Sequence, residues 1–136
     1  MSEHDFKLNV LIVDDNETNR LVLTQVVEVL GGAARLAENG LEAVEAAAEQ
    51  HFDLVLMDIA MPVMDGIEAT LKLRANGVVC PIVAVTAQMR PNDRNALVKH
   101  GFDDLIPKPI SLPLIAQAME RARQYRFAGR ALAREA

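Results

Sequence analysis

The sequence alternates, five times over, between a short apolar run and a segment whose apolar residues recur at helical spacing. The apolar runs are bounded by Gly, Pro, Asn or Asp, which is typical of strands buried on both faces. This alternation favours parallel strands joined by right-handed helical crossovers, with helices on both faces of the sheet. The predicted strands are 8–13, 33–37, 53–58, 81–86 and 104–106, and the predicted helices are 18–30, 41–50, 65–75, 91–100 and a last helix that Ser111 caps.

These elements predict an α/β fold, namely a flavodoxin-like, doubly wound parallel sheet of five strands in the order 2-1-3-4-5. The 136 residues have the length of a single domain (1–136), with a core over about 8–122 and an Arg/Ala-rich helical extension or tail at 123–136. In such sheets ligands bind at the carboxyl edge, beside the point where the strand order reverses. We therefore expect the functional residues at that edge.

Charge is unevenly distributed along the chain, whose net formal charge is −5. Residues 1–119 hold 17 acidic against nine basic residues, whereas 120–136 hold five arginines against two glutamates. An acidic body argues against nonspecific binding to nucleic acid, which depends on contacts of Lys and Arg with phosphates. No apolar run approaches the ~20 residues of a membrane span, and the polar start is unlike a signal peptide. With Cys80 as its single cysteine, the chain fits the reducing cytoplasm, where we expect it.

Polar side chains follow four of the predicted strands. Strand 1 ends on Asp14 and Asp15, strand 3 on Asp58, strand 4 on Thr86 and strand 5 close to Lys108. The carboxyl ends of parallel strands meet at one edge, where crowded carboxylates bind a hard cation such as Mg²⁺. A Lys ammonium and a Thr hydroxyl bind phosphoryl oxygens, and a carboxylate can act as the nucleophile. Taken by themselves, Asp14 and Asp15 also suit a helix cap.

The same residues carry a resemblance to a known family. The segments Val13–Asn16, Asp58–Gly66, Val85–Ala87 and Lys108–Pro109 have the order and spacing found in receiver domains of two-component response regulators. The resemblance covers residues 8 to about 122. It is closest to receivers of hybrid histidine kinases and to single-domain response regulators. It implies a signalling phosphoacceptor in a two-component system or phosphorelay, rather than a turnover enzyme.

The resemblance assigns a role to each residue of the metal site. Asp58 would accept the phosphoryl group and, with Asp15, would bind Mg²⁺ directly. Asp14 would act on the ion through water, and Ala60 would offer its backbone carbonyl. The donor would be the phosphohistidine of a histidine kinase or of a histidine phosphotransfer protein.

Thr86 and Lys108 would hold the phosphoryl group and, by moving toward it, signal to a protein partner through the surface of strands 4 and 5. One position departs from the family's pattern. Family members often carry Tyr or Phe three residues before the lysine, where this chain has Leu105. We therefore expect the signal to travel by backbone or loop shifts, in a loop that Pro107 stiffens.

Three other functions would require different features of the sequence. A receiver-like adaptor that binds partners without phosphorylation would not need the complete set of site residues. A flavodoxin-like nucleotide or flavin binder should show a Gly-rich phosphate loop after strand 1, which this chain lacks. A haloacid-dehalogenase-type phosphatase should carry a second acid two residues after its nucleophile. Here Ala60 follows Asp58 at that spacing, and Asn16 follows Asp14.

Several conspicuous residues are expected to have plainer roles. Asp65 is predicted to cap the third helix, and Cys80 to be a small apolar residue before strand 4. His4, His51 and His100 show no metal-ligand spacing and are interpreted as structural or solvated. The tail arginines fit a solvated helix face, with a docking surface for an acidic partner as the alternative. Too few residues follow the last helix for an output domain. We therefore expect output by protein contact or onward phosphotransfer, with a receiver excised from a longer chain as the alternative.

Overall fold

The computed structural model describes residues 7–87 and 93–135. Within them, five parallel strands form one sheet in the order β2-β1-β3-β4-β5, which confirms the predicted topology. His4 and the predicted helix start at 91 lie outside the described residues. The elements are β1 Leu8–Val13, α1 Glu17–Val29, β2 Gly32–Ala37, α2 Gly40–Glu49, β3 Leu54–Met57, α3 Gly66–Ala75, β4 Ile82–Thr86, α4 Asp93–Lys99, β5 Asp104–Pro107 and α5 Leu112–Glu135.

The register of the sheet brings the strand ends to one edge. Val13, the last residue of β1, is paired with Met57, the last residue of β3. On the far side of the sheet, the last residues of β4 and β5 are also paired, Thr86 with Pro107. The residue that follows each of β1, β3 and β5 therefore emerges at the same carboxyl edge.

The sheet is covered on both faces because its central strands are apolar on both sides. In β3, Val55 and Met57 belong to a core shared with α2, α3 and α4. Leu54 and Leu56 belong to a second core, shared with α1 and α5. A strand buried in this way has a continuous apolar run, which explains why the sequence pattern identified it.

Helix α1 forms where predicted, and its apolar spacing is confirmed only in part. The sequence has apolar residues at helical spacing at Val22, Val26, Val29 and Leu30. Of these, Val26 and Leu30 pack against the core, whereas Val29 is 79% exposed and Val22 is also exposed. Leu23 and Val27 face the sheet instead. Two neighbouring stripes of α1 are apolar at helical spacing, and only docking onto the sheet selects one of them.

In helix α2 the sequence has Leu41, Val44 and Ala48 on one side, and of these only Val44 packs against the core. Leu41 is exposed, whereas Ala43 and Ala46 are buried. Alanines are needed there because α2 packs closely on the neighbouring helix. A Cβ atom at Gly40, the first residue of α2, would lie 2.8 Å from the Cβ of Ala69 in α3.

The helix ends follow the sequence signals with two corrections. Asp65 caps α3 as predicted, since its Oδ1 accepts the Glu68 N–H at 2.9 Å. Helix α1 is capped by Asn16, whose side chain accepts the Asn19 N–H, and not by Asp14 or Asp15. The Gly31-Gly32 pair in the sequence predicts the C-terminal cap of α1. Only Gly31 takes the left-handed conformation that ends the helix (φ +86°), and Gly32 already belongs to β2. The two aspartates are thus left for another role.

Helix α5 continues to Glu135, as expected for a helical extension. Packing reaches beyond the predicted core boundary at 122. The Tyr125 hydroxyl donates to the carbonyl of Val79 at 2.8 Å, and Arg123 Nη2 donates to the carbonyl of Leu30 at 3.2 Å. Among the described residues, no helix is both long and apolar enough to cross a membrane.

Candidate functional site

Two buried aspartates stand side by side at the carboxyl edge of the sheet. Asp14 follows β1 and is 1% exposed, and Asp58 follows β3 and is 6% exposed. Their backbones extend the strand ladders by one residue. The Asp14 N–H donates to the Ala37 carbonyl at 3.1 Å, and the Asp58 N–H to the Val13 carbonyl at 2.9 Å. The positions of both carboxylates are therefore set by the sheet itself.

A third carboxylate completes an acidic cluster at this edge. Asp15 is exposed, and carboxylate oxygens of Asp14, Asp15 and Asp58 lie within 4.8 Å of one another. Three carboxylates at this separation repel one another unless a cation binds between them. Oxygen ligands of this kind suit Mg²⁺, which prefers one or two carboxylates and completes its shell with water and phosphoryl oxygens. The donor set thus fits the predicted metal.

Lys108 supplies positive charge within the described part of this edge. Its Nζ lies 3.0 Å from Asp14 Oδ2 and 3.5 Å from Asp58 Oδ2. Its backbone N–H donates to the Thr86 carbonyl at 2.9 Å, which ties the loop after β5 to the end of β4. The ammonium group is consequently held where it faces two of the three carboxylates.

The charges shift the pKa of both Asp58 and Lys108. Burial raises the pKa of Asp58, and the nearby Asp14 carboxylate raises it further, against the opposing charge of Lys108. For Lys108, burial acts to lower the pKa. The hydrogen bond to Asp14 and the charge of Asp58 outweigh it, so that the pKa of Lys108 is raised. Asp58 is thus a carboxylate whose ionised form is destabilised by its site and whose neighbour remains firmly cationic.

Two further predicted site residues occupy the expected strand end and loop. Thr86 is the last residue of β4 and is buried. Ala60 lies two residues after Asp58 in the loop between β3 and α3 and is exposed. The structure therefore brings Asp14, Asp15, Asp58 and Lys108 into one cluster and places Thr86 at its border.

Sequence reasoning missed how tightly this β3–α3 loop is fixed. The Gly66 N–H donates to the Ile59 carbonyl at 2.9 Å, and a Cβ at Gly66 would lie 2.1 Å from the carbonyl oxygen of Asp58. Gly40 donates its N–H to the Met64 carbonyl from the other side. The sequence signal was the Asp-Gly pair, which indicates a turn but not a close approach of two backbone segments.

A second missed feature holds the loop between β1 and α1. The Asn16 N–H donates to Asp14 Oδ1 at 2.9 Å, and Arg20 Nη1 donates to the Asp14 carbonyl at 2.7 Å. Asp14 is thus held by its side chain and by its backbone. An arginine in the first turns of a helix carries no sequence signal for this contact.

The fold and the acidic edge define a class, the doubly wound α/β domains with an aspartate cluster at the switch point of the sheet. The sequence model of the response regulator receiver domain family matches residues 10–120. The chain belongs to this family, and it is a receiver domain of the two-component signalling systems.

Two kinds of protein are similar to this chain, namely sensor proteins and a two-component response regulator. The chain is 43% identical over 115 residues to the sensor protein GacS of Pseudomonas syringae pv. syringae, covering 81% of this chain but only 13% of that protein. It is 45% identical over 108 residues to the two-component response regulator ORR41 of Oryza sativa subsp. japonica, covering 76% of this chain and 85% of that one. The chain thus corresponds to a small part of the first relative and to most of the second.

Solved structures agree with the fold. The receiver domain of the sensor histidine kinase PA1611 from Pseudomonas aeruginosa PAO1, determined with a magnesium ion in its active site cleft, has a TM-score of 0.79 and is 33% identical. That comparison covers 88% of this chain and 99% of the other. The receiver domain of the Francisella response regulator 1452 has a TM-score of 0.82 at 24% identity, and this likeness concerns the fold alone.

Proposed function

We propose that the protein is a phosphoryl-accepting switch in which Asp58 receives a phosphoryl group from a phosphohistidine. The observation that carries this proposal is the juxtaposition of Asp58 with Asp14, Asp15 and Lys108 at the carboxyl edge of the sheet. A carboxylate among other carboxylates and one lysine is poorly suited to a purely structural role, because its ionised form is destabilised there. The same surroundings suit a group that binds a cation and a phosphoryl group together.

In this proposal Asp15, Asp58 and the carbonyl of Ala60 would hold Mg²⁺ directly, and Asp14 would act through water. Asp14 suits the indirect role because its two carboxylate oxygens already accept from the Asn16 N–H and the Lys108 ammonium. When bound, the ion neutralises charge on the carboxylates and on the transferred phosphoryl group.

Asp58 is the nucleophile of the transfer step. One of its carboxylate oxygens attacks phosphorus in line with the leaving group and forms an acyl phosphate, while the P–N bond of the phosphohistidine breaks and the ring nitrogen leaves with the bonding pair. Lys108 stays cationic and binds a phosphoryl oxygen as a point charge, and the Thr86 hydroxyl donates to another. These residues position the reacting groups and neutralise their charge. Because the phosphoryl group then remains on Asp58 itself, we expect one acceptance event per chain rather than repeated turnover.

The phosphorylated state is read, we propose, at the surface of β4 and β5. The carbonyl of Thr86, at the end of β4, accepts a hydrogen bond from the Lys108 N–H. A movement of Thr86 toward the phosphoryl group therefore displaces the loop after β5. Asp104 of β5 also bridges Arg94 of α4 at 2.6 Å and Arg121 of α5 at 2.8 Å, so the two helices and the strand are joined at this surface. A downstream protein partner would bind there.

The position of Leu105 fits a relay through the backbone. The side chain is buried in the core beneath α4, where it fills space without a polar group to exchange partners. Donor and partner are, in this proposal, cytoplasmic proteins, namely a histidine kinase or a histidine phosphotransfer protein on one side and a reader of the β4–β5 surface on the other.

The proposal is tested by incubating the chain with Mg²⁺ and acetyl phosphate and measuring its intact mass. We expect the wild type to gain one phosphoryl group and Asp58→Asn to gain none, since it lacks the nucleophile. Asp65→Asn is the matched control, because it removes an acid of the same loop that only caps α3. Chelation of Mg²⁺ should prevent the gain in the wild type.

A wild type that stays unmodified under these conditions, while a known receiver is phosphorylated in parallel, would contradict the switch. It would favour a receiver-like adaptor that binds its partners without phosphorylation. Modification that persists in Asp58→Asn would place the acceptor on another residue.

A further inference from the structure

Arg20 lies four residues after Asn16, the residue that caps α1. Its Nη1 donates to the backbone carbonyl of Asp14 at 2.7 Å, and its Nη2 lies 3.5 Å from Glu38 Oε1. The side chain is only 12% exposed. The guanidinium is therefore packed against the acidic edge rather than displayed to solvent.

The carbonyl that Arg20 contacts belongs to the peptide group between Asp14 and Asp15. A peptide group is planar, so the direction of its carbonyl also fixes the direction in which the chain continues to the Cα of Asp15. The Asn16 N–H and the Lys108 ammonium hold the carboxylate of Asp14. The contact from Arg20 differs from these two, because it is made to the carbonyl and so fixes the plane of the peptide group between Asp14 and Asp15.

We propose that Arg20 is a positioning residue for the metal site, which aims the carboxylate of Asp15 at Asp58 by holding the Asp14 carbonyl. The inference rests on the proposed Mg²⁺-dependent function and deepens it, because Arg20 contacts neither the proposed ion nor the phosphoryl group. Groups placed behind metal ligands commonly change metal affinity by about 10–100-fold when they are removed.

The charge of Arg20 alone predicts the opposite effect. A guanidinium held against the Asp14 carbonyl at this acidic edge repels a second cation, so its removal would strengthen Mg²⁺ binding if charge were its whole role. Loss of positioning weakens binding instead, because Asp15 is no longer held within reach of the ion. The sign of the change in affinity therefore separates the two roles.

The test is the Mg²⁺ affinity of the complete chain, measured by isothermal titration calorimetry. For Arg20→Met we expect affinity to fall by about tenfold or more. Arg20→Lys should recover part of it, since an ammonium can donate to a carbonyl but cannot also reach Glu38. Glu38→Gln is the matched control, because it removes the negative charge opposite Nη2 and keeps the bond from Arg20 to the Asp14 carbonyl. Its affinity should change by less than about threefold, as for an exposed ion pair.

A second measurement needs no metal. In EDTA, the backbone amide of Asn16 should exchange with solvent faster in Arg20→Met than in the wild type or in Glu38→Gln, because its acceptor Asp14 is less firmly held. Thermal unfolding in EDTA establishes that each variant is folded, and Arg20→Lys carries the test should Arg20→Met fail to fold.

Unchanged or stronger Mg²⁺ binding by a folded Arg20→Met would overturn the positioning role while leaving the proposed function intact. A wild type that binds no Mg²⁺ would instead contradict the proposed function. In either case, slower or unchanged exchange of the Asn16 amide in Arg20→Met would show that Arg20 does not hold this loop and would overturn the positioning role by itself.

Discussion

The amino edge and the carboxyl edge of the sheet carry the same kinds of side chain in different roles. At the amino edge, Asp53 and Asp103 precede β3 and β5, and each carboxylate accepts a backbone N–H from the neighbouring strand at 2.8 Å, from Asn9 and Ile82 respectively. At the carboxyl edge, the carboxylate of Asp58 faces other carboxylates and one lysine. An aspartate beside a strand end therefore either accepts a hydrogen bond from the backbone or stands in a cluster of charged side chains, according to what surrounds it.

Arg74 lies at the amino edge and also binds backbone groups there. All five N–H groups of the Arg74 guanidinium are used at the amino edge. They donate to the carbonyls of Gly101, Val78 and Cys80 and to the Asp103 carboxylate, over 2.8 to 3.0 Å. Burial there also raises the pKa of the Cys80 thiol to about 11, which leaves it inert at neutral pH. The amino edge is thus built for stability.

The largest expected effect on stability comes from Arg74→Met. The variant leaves three backbone carbonyls without their side-chain donor and removes the cation paired with Asp103, so the free energy of unfolding should fall by roughly 2–4 kcal/mol. Urea denaturation measures it. Arg35→Met is the control, because it removes an exposed ion pair with Glu49 and should cost less than about 1 kcal/mol. Equal losses in the two variants would remove the distinction between the amino edge and an ordinary surface.

One substitution made at both edges should change stability in opposite directions. Asp53→Asn weakens the bond to the Asn9 N–H and should destabilise the protein by roughly 1 kcal/mol. Asp58→Asn removes a carboxylate whose folded-state pKa is raised, so in Mg²⁺-free buffer at neutral pH it should raise Tm by a few degrees. Calorimetry of both variants measures the pair.

The pH dependence of stability follows from the raised pKa of Asp58. A raised pKa means that the folded state binds the proton more tightly than the unfolded state, so acid stabilises the wild type through Asp58. The advantage of Asp58→Asn should therefore be complete above the folded-state pKa and disappear as pH falls toward 3.8. Loss of stability in Asp58→Asn at neutral pH would show that the carboxylate is structural.

An effect as small as that of Asp53→Asn is expected at Thr70, a buried residue of α3 close to the amino edge. Within the described residues, its Oγ1 is buried without a hydrogen-bond partner. Thr70→Val keeps the shape and removes the hydroxyl, so the protein should gain about 1 kcal/mol. Thermal unfolding tests this gain, and a loss would indicate that the hydroxyl is satisfied in solution.

The sequence was sufficient for the fold because its signals are local. Apolar runs such as Leu54–Met57 identify strands that are buried on both faces. Asp65 begins a helix through its own side chain, and Gly31 ends one through its own backbone conformation. The alternation of strands and helices then leaves few topologies, and the predicted order was confirmed.

The sequence alone also placed Asp14, Asp15, Asp58 and Lys108 at one edge, because the direction of parallel strands decides where each ends. Only the tertiary structure decided which face of α1 is buried, since Leu23 and Val22 are both apolar and the sheet makes the choice. It alone revealed Arg20 on the Asp14 carbonyl and Gly66 against the carbonyl of Asp58. These are contacts with backbone atoms, whose positions depend on how separate elements pack, and no pattern of residue types along the chain encodes them.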